Sequence, residues 1–412
     1  MKRILIDARF LGIGQSMTRY ILEVIGGILR MDKENDYTLL IRPQGEKLAD
    51  QLLSNQLSVI SDQKTDNGKP ITKLKLEVLD IPHYSLAEQT KLLKYLNKEK
   101  FDLVHFIQFN HPVRYRSKYI VTIHDLTLLG HLHRMGTAKK VGFNVVMKSA
   151  VKNSARIITV SNTTKDDVVS IYKADPKKIT PIPLGVDDAY NSRIKNEELR
   201  IKKFKEKYGI SGDYILYTGM WKRHKNILRM LKAFELVISN RLSVDGSENR
   251  GQRTEKNLQL VFVGKPDLKE PEVIAEIERI NNSLTANSYP LKAILTTGFI
   301  DEEELPTAYA GALAYCFPSL SEGFGLTSLE AMACGTPVIS SNASCMPEIY
   351  GDAAYYFDPL DVDDIAKAIE KISTDEKLRQ ELSQKGIEQA AKYDWSKTAK
   401  ETFEVYKKVL SE

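Results

Sequence analysis

The chain of 412 residues lacks the features that mark membrane-spanning and disulfide-rich proteins. No window reaches the roughly 18 consecutive apolar residues that a transmembrane helix needs. Its three cysteines, Cys316, Cys334 and Cys345, are too few and too clustered for a disulfide framework. We therefore expect a reducing, cytoplasmic compartment. The N-terminus runs directly into an apolar strand, RILID at Arg3–Asp7, without the charged and then apolar stretch of a secretory signal.

A strong excess of one charge is also missing, since 59 Lys and Arg face 54 Asp and Glu and leave a net charge of +5. This mild excess favours anionic ligands slightly, but the chain carries no nucleic-acid-binding motif and no interleaving of basic and aromatic residues. A basic nucleic-acid-binding protein is therefore the least favoured interpretation, and we expect no nucleic acid partner. The length fits two domains of ordinary size.

The most informative stretch runs from Glu322 to Asn342 and reads EGFGLTSLEAMACGTPVISSN. The apolar residues 312–317 before it predict a buried strand, and 318–325 form a glycine-containing loop. A helix is predicted from about Leu326, ended by Gly335, and 337–341 predict a second strand. In a parallel unit of this kind the loop lies at the carboxyl edge of the sheet, where open α/β sheets bind ligands.

A glutamate lies where this helix should be apolar. Leu326, Leu329 and Ala333 mark the buried stripe, and the 100° helical period places Glu330 inside it. One interpretation is an ordinary helix with a structurally paired glutamate, because an unpaired buried carboxylate is costly. The other is a ligand with a phosphate and several hydroxyls, which Glu330, Glu322 and the helix N-terminus could bind together.

The run EGFGLTSLEAMACGTPVI, with its two glutamates eight positions apart, resembles the signature of the retaining glycosyltransferase family 4. The resemblance implies the GT-B fold, in which two doubly wound, Rossmann-like α/β domains face each other across a cleft. It also implies a nucleotide-sugar donor, with Glu322 on the transferred sugar and Glu330 on the ribose hydroxyls. The other donor-binding residues expected in this stretch are Gly323, Phe324, Gly325 and Leu326.

The activity implied by the resemblance is transfer of a hexose with retention, without a required metal or another cofactor. The opening of the chain is similar to mannosyltransferase members, so a GDP-sugar is the favoured donor, with UDP-sugars close behind. The implied acceptor is a glycan or a lipid-linked glycan. A nucleotide-sugar epimerase or a sugar phosphorylase on the same fold is the alternative, although we find no lysine context for a phosphorylase cofactor.

Two motifs of the N-terminal half follow predicted strands. His124 ends the strand in VTIHDL, where a histidine either binds a ligand in the crevice or is a satisfied structural residue. The motif resembles the family's strand-end His-Asp, whose histidine reaches the donor sugar. Gly12-Ile-Gly14 follows the first strand and is either a flexible connection or a phosphate-binding turn without its third glycine. The resemblance implies that this loop faces the donor or acceptor.

Three potential cations, Arg223, His224 and Lys225, precede a predicted helix that Asn226 is expected to cap. Cations at a helix N-terminus oppose the macrodipole, so they favour a bound anion unless they are simply solvated. Lys225 and Asn226 match the family's Arg-Lys-Asn pattern. The resemblance implies that Lys225, with Arg223, stabilises the departing nucleotide diphosphate, while Lys225, Glu322 and His124 form the catalytic set.

Two short motifs have contrasting interpretations. Gly298 and Phe299 fall where family members contact the base through backbone groups. Asp361-Val-Asp363 imitates a metal-binding Asp-x-Asp, but it precedes a helical apolar pattern and is better explained as a helix cap. We therefore expect no metal site.

The resemblance also suggests a division into an N-terminal acceptor domain, 1–187, and a C-terminal donor domain, 188–395. The run PIPLGVD at 181–187 is similar to the family's interdomain link, and the last helix, about 396–412, is expected to return to the first domain. The polar stretches 62–69 and 241–256 predict an exposed loop and an insertion.

Two basic segments, 91–100 and 137–156, are predicted to be helices in which cations alternate with apolar residues. They are either ordinary solvated faces or a weak attachment to an anionic membrane, which a lipid-linked acceptor would require. The second interpretation predicts a peripheral protein at the inner face of the membrane. The cations are Lys91, Lys94, Lys98, Lys100, Lys139, Lys140, Lys148, Lys152 and Arg156.

Overall fold

The computed structural model describes residues 1–52, 74–130, 136–191, 197–244, 258–287, 289 and 292–412. These residues form two compact units. The first comprises Met1–Gly185 and Asp394–Glu412, and the second comprises Val186–Tyr393. The loop expected at 62–69 lies outside the described residues, as does most of the insertion expected at 241–256.

A parallel sheet forms the centre of the first unit. Its described strands are β1 (Arg3–Asp7), β2 (Asp36–Ile41), β3 (Leu74–Val78), β4 (Leu103–Phe106), β5 (Tyr119–Ile123), β6 (Arg156–Thr159) and β7 (Ile179–Pro181). They pair in the order β3-β2-β1-β4-β5-β6-β7. The order reverses next to β1, which makes the carboxyl ends of β1 and β4 a switch point of the kind that binds ligands.

Helices and short turns connect these strands. The helices are α1 (Gln15–Met31), α2 (Leu93–Glu99), α3 (Thr127–Gly130), α4 (Thr137–Asn153) and α5 (Asn162–Tyr172). A π-helical turn at Glu88–Leu92 precedes α2, and 3-10 turns lie at Pro43–Gly45 and Pro176–Lys178. The predicted apolar face of α1 is buried, and it consists of Ile21, Val24, Ile25 and Ile28.

The second unit repeats the architecture. Its described strands are β8 (Asp213–Thr218), β9 (Leu258–Val263), β10 (Ile294–Gly298), β11 (Ala314–Phe317), β12 (Val338–Ser341) and β13 (Ala354–Phe357), in the order β10-β9-β8-β11-β12-β13. All of their pairings are parallel. The predicted class, α/β with doubly wound parallel sheets, is confirmed.

Helices alternate with the strands along the second unit. They are α6 (Asp188–Asn191), α7 (Glu197–Tyr208), α8 (Ile227–Val244), α9 (Pro271–Ala286), α10 (Leu305–Ala310), α11 (Leu326–Ala333), α12 (Met346–Tyr350), α13 (Val362–Thr374) and α14 (Glu376–Ala390). Short 3-10 turns lie at Arg223–Lys225 and Glu302–Glu304. The start of the expected polar insertion, 241–244, is the end of α8 instead.

The last helix, α15 (Trp395–Ser411), belongs to the first unit and packs along α1. The two helices approach so closely at Gly27 that a Cβ atom there would lie 2.4 Å from the Cβ atom of Ala399. A glycine is therefore required at this crossing, because any side chain would separate the helices.

The predicted helix at 137–156 is too long. The structure ends it at Asn153, and Arg156 begins β6, so this arginine does not lie on the helix with the lysines. The β-branched residues Ile157 and Ile158 continue that strand inside the sheet, which overrides the helical pattern. Among the described residues, no helix is both long and apolar enough to cross a membrane.

The capping interpretation of Asp361 is confirmed. Its carboxylate accepts hydrogen bonds from the backbone N–H groups of Asp363 and Asp364 at the start of α13. No group of three or more His, Cys, Asp or Glu side chains able to hold a metal ion occurs in the part of the chain that the structure describes.

A buried histidine links the sheet of the first unit to α15. His105 in β4 is 1% exposed, with Nδ1 2.6 Å from Tyr406 Oη and Nε2 2.8 Å from Thr122 Oγ1. Burial, assisted by the neighbouring His124, lowers the pKa of His105 to about 3. The imidazole is therefore neutral in the folded protein well below the pH at which an unfolded histidine gains a proton.

We predict that this histidine makes the first unit sensitive to acid. Because the pKa of His105 is lower in the folded protein, the contribution of this residue to the free energy of unfolding is present above pH 6.5. That contribution is lost as the pH falls towards 3. At pH 5 the loss is about 2 kcal/mol relative to pH 7. Urea unfolding of the wild type and of His105→Asn at both pH values should show this difference. Tyr406→Phe retains the buried imidazole and should keep the wild-type pH dependence. An equal pH dependence in His105→Asn would contradict the account.

Candidate functional site

Three glycines stand at the carboxyl ends of neighbouring strands in the second unit. Gly219 follows β8, Gly264 follows β9 and Gly298 ends β10, and all have positive φ, at 130°, 127° and 72°. A Cβ atom on Gly264 would lie 2.4 Å from the carbonyl oxygen of Gly219. The missing side chain at Gly264 lets the two loops touch, and the three glycines leave a strip of half-buried backbone, the glycine strip, at the strand ends. Gly298 was predicted as part of the site, whereas Gly264 was not singled out.

The loop before α11 is built as the sequence predicts. Gly325 has φ +80°, and a Cβ atom there would lie 2.0 Å from Tyr350 Oη, whose hydroxyl donates to the Gly325 carbonyl oxygen. At the other end, Gly335 has φ +77° and its N–H donates to the Met332 carbonyl oxygen. The N–H of Thr336 donates to Ala331, which completes a Schellman C-cap.

Other residues of the predicted loop are buried, although residues that contact a ligand should be accessible to it. Phe324 is 4% exposed and its ring packs edge-on against Tyr393, with centroids 5.5 Å apart. Gly323 is buried too, while Leu326 is only half-buried rather than part of a fully buried stripe. Phe324 therefore anchors the loop with its side chain, and only its backbone could contact a donor.

Glu330 is buried in the middle of α11, as predicted, at 4% exposure. Its Oε2 accepts a hydrogen bond from Tyr309 Oη over 3.2 Å. The Tyr309 hydroxyl lies 3.0 Å from Thr218 Oγ1 at the end of β8, and Thr218 lies 3.0 Å from Tyr315 Oη. This buried chain of hydroxyls connects the carboxylate to the end of β8. Tyr309 and Thr218 could not be found from local spacing.

Lys225 and Glu322 are in direct contact. The Lys225 Nζ lies 2.6 Å from Glu322 Oε1, and the two side chains are 20% and 13% exposed. The backbone of Glu322 is held by Ser344, whose hydroxyl donates to the Glu322 carbonyl oxygen over 2.8 Å. The sequence argument expected either a bound anion beside these cations or solvated side chains. At Lys225 the structure places the carboxylate of Glu322, from another loop, next to the cation.

Asn226 does not act as the predicted side-chain cap. It adopts a left-handed conformation, φ +58°, and its Nδ2 donates to the carbonyl oxygens of Pro318 and Pro359. Its Oδ1 accepts from Arg229. Asn226 therefore ties three loops together beside Lys225, while Arg223 stays exposed in the preceding 3-10 turn.

An exposed aromatic ring lies at the far side of the glycine strip. Phe299, which follows Gly298, is 56% exposed, and Lys265 Nζ stands 6.0 Å from the centre of its ring. An exposed ring with a nearby cation is a suitable surface for a flat, electron-rich group such as a nucleobase.

The remaining predicted residues belong to the first unit. His124 follows β5, its Nε2 lies 3.0 Å from the Ile107 carbonyl oxygen, and its ring stands edge-on to Tyr20, with centroids 4.7 Å apart. Burial lowers the pKa of His124, so the imidazole is neutral at pH 7. The Ile107 carbonyl requires the proton on Nε2, which makes Nδ1 a hydrogen-bond acceptor.

Gly12 and Gly14 both have positive φ, at 80° and 75°. The Gly12 N–H donates to Thr18 Oγ1 in the first turn of α1, and Gly14 occupies the N-cap position of that helix. The turn is thus folded onto its own helix and is not merely a flexible connection. The second unit contains Arg223, Lys225, Gly298, Phe299, Glu322 and Glu330, of which Lys225 and Glu322 are in contact, whereas His124, Gly12 and Gly14 lie in the first.

Models of two known families match the chain. "Glycosyltransferase Family 4" matches residues 19–190, and "Glycosyl transferases group 1" matches residues 200–389. The chain belongs to glycosyltransferase family 4. The two matches correspond to the two folded units and together cover most of the sequence.

Among curated proteins, this glycosyltransferase is similar to O-antigen chain mannosyltransferase B of Escherichia coli. The two are 26% identical over 398 residues, which is 96% of each chain. It is also 28% identical over 296 residues to the serotype-specific mannosyltransferase WbdA of Escherichia coli. That alignment covers 71% of this chain and only 34% of the longer relative.

Solved structures show the same GT-B fold. A crystal structure of Anabaena HepE in complex with UDP and glucose matches with a TM-score of 0.69 and 13% identity, covering 99% of this chain and 100% of that one. The lipopolysaccharide glycosyltransferase WaaG matches with a TM-score of 0.67 and 14% identity, covering 98% and 99%. These likenesses confirm the predicted fold.

The contact between Lys225 and Glu322 should stabilise the ligand-free enzyme. In a double-mutant cycle with Lys225→Met and Glu322→Gln, we predict a coupling of about 1–2 kcal/mol in urea unfolding, because the pair is mostly shielded from water. The exposed pair Lys207–Glu304, with N–O 2.8 Å, provides a matched control that solvent should weaken. Coupling at Lys225–Glu322 no larger than in the control would refute a structural role for the pair.

Proposed function

We propose that the enzyme transfers mannose from GDP-mannose to a glycan or a lipid-linked glycan, with retention of configuration and without a metal ion. UDP-sugars are the second choice of donor. The family match and the named mannosyltransferase relatives support the sugar. In this proposal the second unit binds the donor and the first unit binds the acceptor.

The observation that carries the proposal is the contact between Lys225 and Glu322. A cation suited to a phosphate and a carboxylate suited to sugar hydroxyls are held 2.6 Å apart in one half-buried position. In a nucleotide sugar the diphosphate is bonded directly to the sugar. A phosphate and sugar hydroxyls therefore lie next to each other, as Lys225 and Glu322 do. Lys225 would bind the diphosphate as its negative charge grows on departure, and Glu322 would turn to the sugar hydroxyls.

Further groups fit the remaining parts of a donor. Glu330, fixed by Tyr309, would accept hydrogen bonds from ribose hydroxyls, and the N-terminus of α11 would favour the diphosphate. The base would lie on the glycine strip near Phe299. In the first unit, the neutral His124 would accept a hydrogen bond from a hydroxyl of the transferred sugar through Nδ1.

The chemistry follows from these roles. The sugar loses its bond to the diphosphate while a hydroxyl oxygen of the acceptor forms a new bond on the same face. The departing phosphate takes the acceptor proton, so no separate protein nucleophile is required. Exposed Arg223 would add positive charge beside Lys225 to stabilise the leaving group.

We predict that Glu330→Ala weakens binding of GDP while the fold survives. Loss of hydrogen bonds to a charged group should cost about 1.5–3 kcal/mol of binding free energy. Calorimetric titration with GDP, UDP and ADP measures both the base preference and the loss. Glu388→Ala, an exposed change in α14, is the matched control. Unchanged GDP affinity in Glu330→Ala would count against the ribose role, and binding of none of the three nucleotides would refute the proposed donor class.

We also propose weak attachment of the first unit to anionic membranes through α4. Val141 and Val145 are 57% and 49% exposed, and Lys148 and Lys152 are exposed on the same helical stripe. Two apolar side chains flanked by two cations form a small amphipathic surface of the kind that lies at a bilayer interface. Such contact would bring the enzyme to a lipid-linked acceptor.

Flotation with anionic vesicles tests this attachment. The wild type should float at low salt and dissociate at high salt, because each surface cation contributes about 1 kcal/mol near an anionic bilayer. The double variant Lys148→Glu/Lys152→Glu should stay with the soluble fraction. Lys203→Glu, an exposed change on α7, should not alter flotation. A wild type that remains soluble at low salt would exclude this membrane role and favour a soluble glycan acceptor.

A further inference from the structure

Of the phenylalanine, tyrosine and tryptophan residues that the structure describes, two are exposed, one in each unit. Phe299 belongs to the donor site of the second unit, and Tyr84 is 58% exposed in the first. A half-exposed aromatic ring forfeits part of the free energy that its burial would supply. The donor site does not account for Tyr84.

The backbone of Tyr84 is also unusual. Its φ is +56°, in the left-handed region that a bulky residue seldom adopts. The Tyr84 N–H donates to Glu88 Oε2 over 3.3 Å, at the start of the π-helical turn. Such a conformation persists only where neighbouring contacts enforce it, and conformations of this kind concentrate at functional sites.

A buried ionic network enforces this conformation. Arg9, fully buried, donates through Nη2 to Glu88 Oε1 and to Asp7 Oδ2, both over 2.7 Å. Asn110 Nδ2 adds a third short hydrogen bond, 2.7 Å, to the same glutamate oxygen. Asp7 ends β1 at the switch point of the sheet. The carboxylate that positions Tyr84 is thus fixed to the central strand by an arginine that water does not reach.

Tyr84 and the predicted His124 both contact the segment that follows β4. His124 Nε2 lies 3.0 Å from the carbonyl oxygen of Ile107, and the ring of Tyr84 packs against Phe109, two residues further on. The ring stands 5.9 Å from that of Phe109, which supports one side, while more than half of the residue remains open to solvent.

We propose that Tyr84 binds the acceptor by stacking its exposed ring on the apolar face of a sugar. A pyranose ring presents C–H groups on its faces, so an aromatic ring that is supported on one side and open on the other is complementary to such a face. Asp7, Arg9 and Glu88 are positioning residues that hold this ring. The inference rests on the proposed function only in assigning this sugar to the acceptor, because the donor groups lie in the second unit.

Binding of simple glycosides to three variants tests the proposal. Tyr84→Phe keeps the ring, whereas Tyr84→Asn removes it and retains a residue that tolerates positive φ. Leu86→Asn changes a neighbour that is 84% exposed and is the matched control. Methyl glycosides of mannose, glucose, galactose and N-acetylglucosamine are titrated by saturation-transfer NMR, and GDP is titrated in parallel.

At least one glycoside should bind the wild type, Tyr84→Phe and Leu86→Asn alike. Its affinity should fall about tenfold in Tyr84→Asn, the size expected for a lost aromatic contact. GDP affinity should be the same in all four proteins. Equal glycoside affinity in Tyr84→Asn, or no glycoside binding by the wild type, would overturn the proposal. If the proteins bind the glycoside but not GDP, the proposed donor is refuted and the result for Tyr84 still stands.

Discussion

A carboxylate buried in a short apolar helix is the constraint on which the second unit depends. Glu330 occupies a position that a purely structural α11 would give to an apolar side chain, and burial of an ionised group is tolerated only with good partners. Tyr309, Thr218 and Tyr315 supply a chain of hydroxyls that connects the helix to the end of β8. These hydroxyls thereby join α11 to the central strand β8 around one buried carboxyl group.

The glycine strip and an ion pair stand at neighbouring strand ends of the same unit. Gly219, Gly264 and Gly298 remove side chains from three neighbouring strand ends, while Lys225 and Glu322 neutralise each other at the next loop. Each member of the pair therefore has a partner in the ligand-free protein. In the proposed mechanism a diphosphate would replace Glu322 beside Lys225, and the lysine would then stabilise the departing nucleotide diphosphate.

The sequence predicted those features of the fold that depend on residues close together in the chain. The boundaries of α11, its Gly335 cap and the Asp361 cap follow from residues within a few positions, and alternating strands and helices predicted parallel sheets. Contacts between distant segments could not be predicted: Lys225 meets Glu322 across 97 positions, and Arg9 meets Glu88 across 79. The error at Arg156 has the same origin, since pairing of β6 in the sheet ends a helix that the local pattern would continue. The roles of His124 and of the glutamates rest on the family pattern.

The most direct test of the account is the stereochemistry of the product. The enzyme is incubated with GDP-mannose and either a lipid-linked glycan or methyl α-mannoside, with and without a metal chelator, and the anomeric carbon–hydrogen coupling of the product is measured by NMR. The account predicts release of GDP and a new α-linked mannose, formed equally well with the chelator. A β-linked product would contradict retention. An isomerised nucleotide sugar without transfer would show that the chain is an epimerase on the same fold.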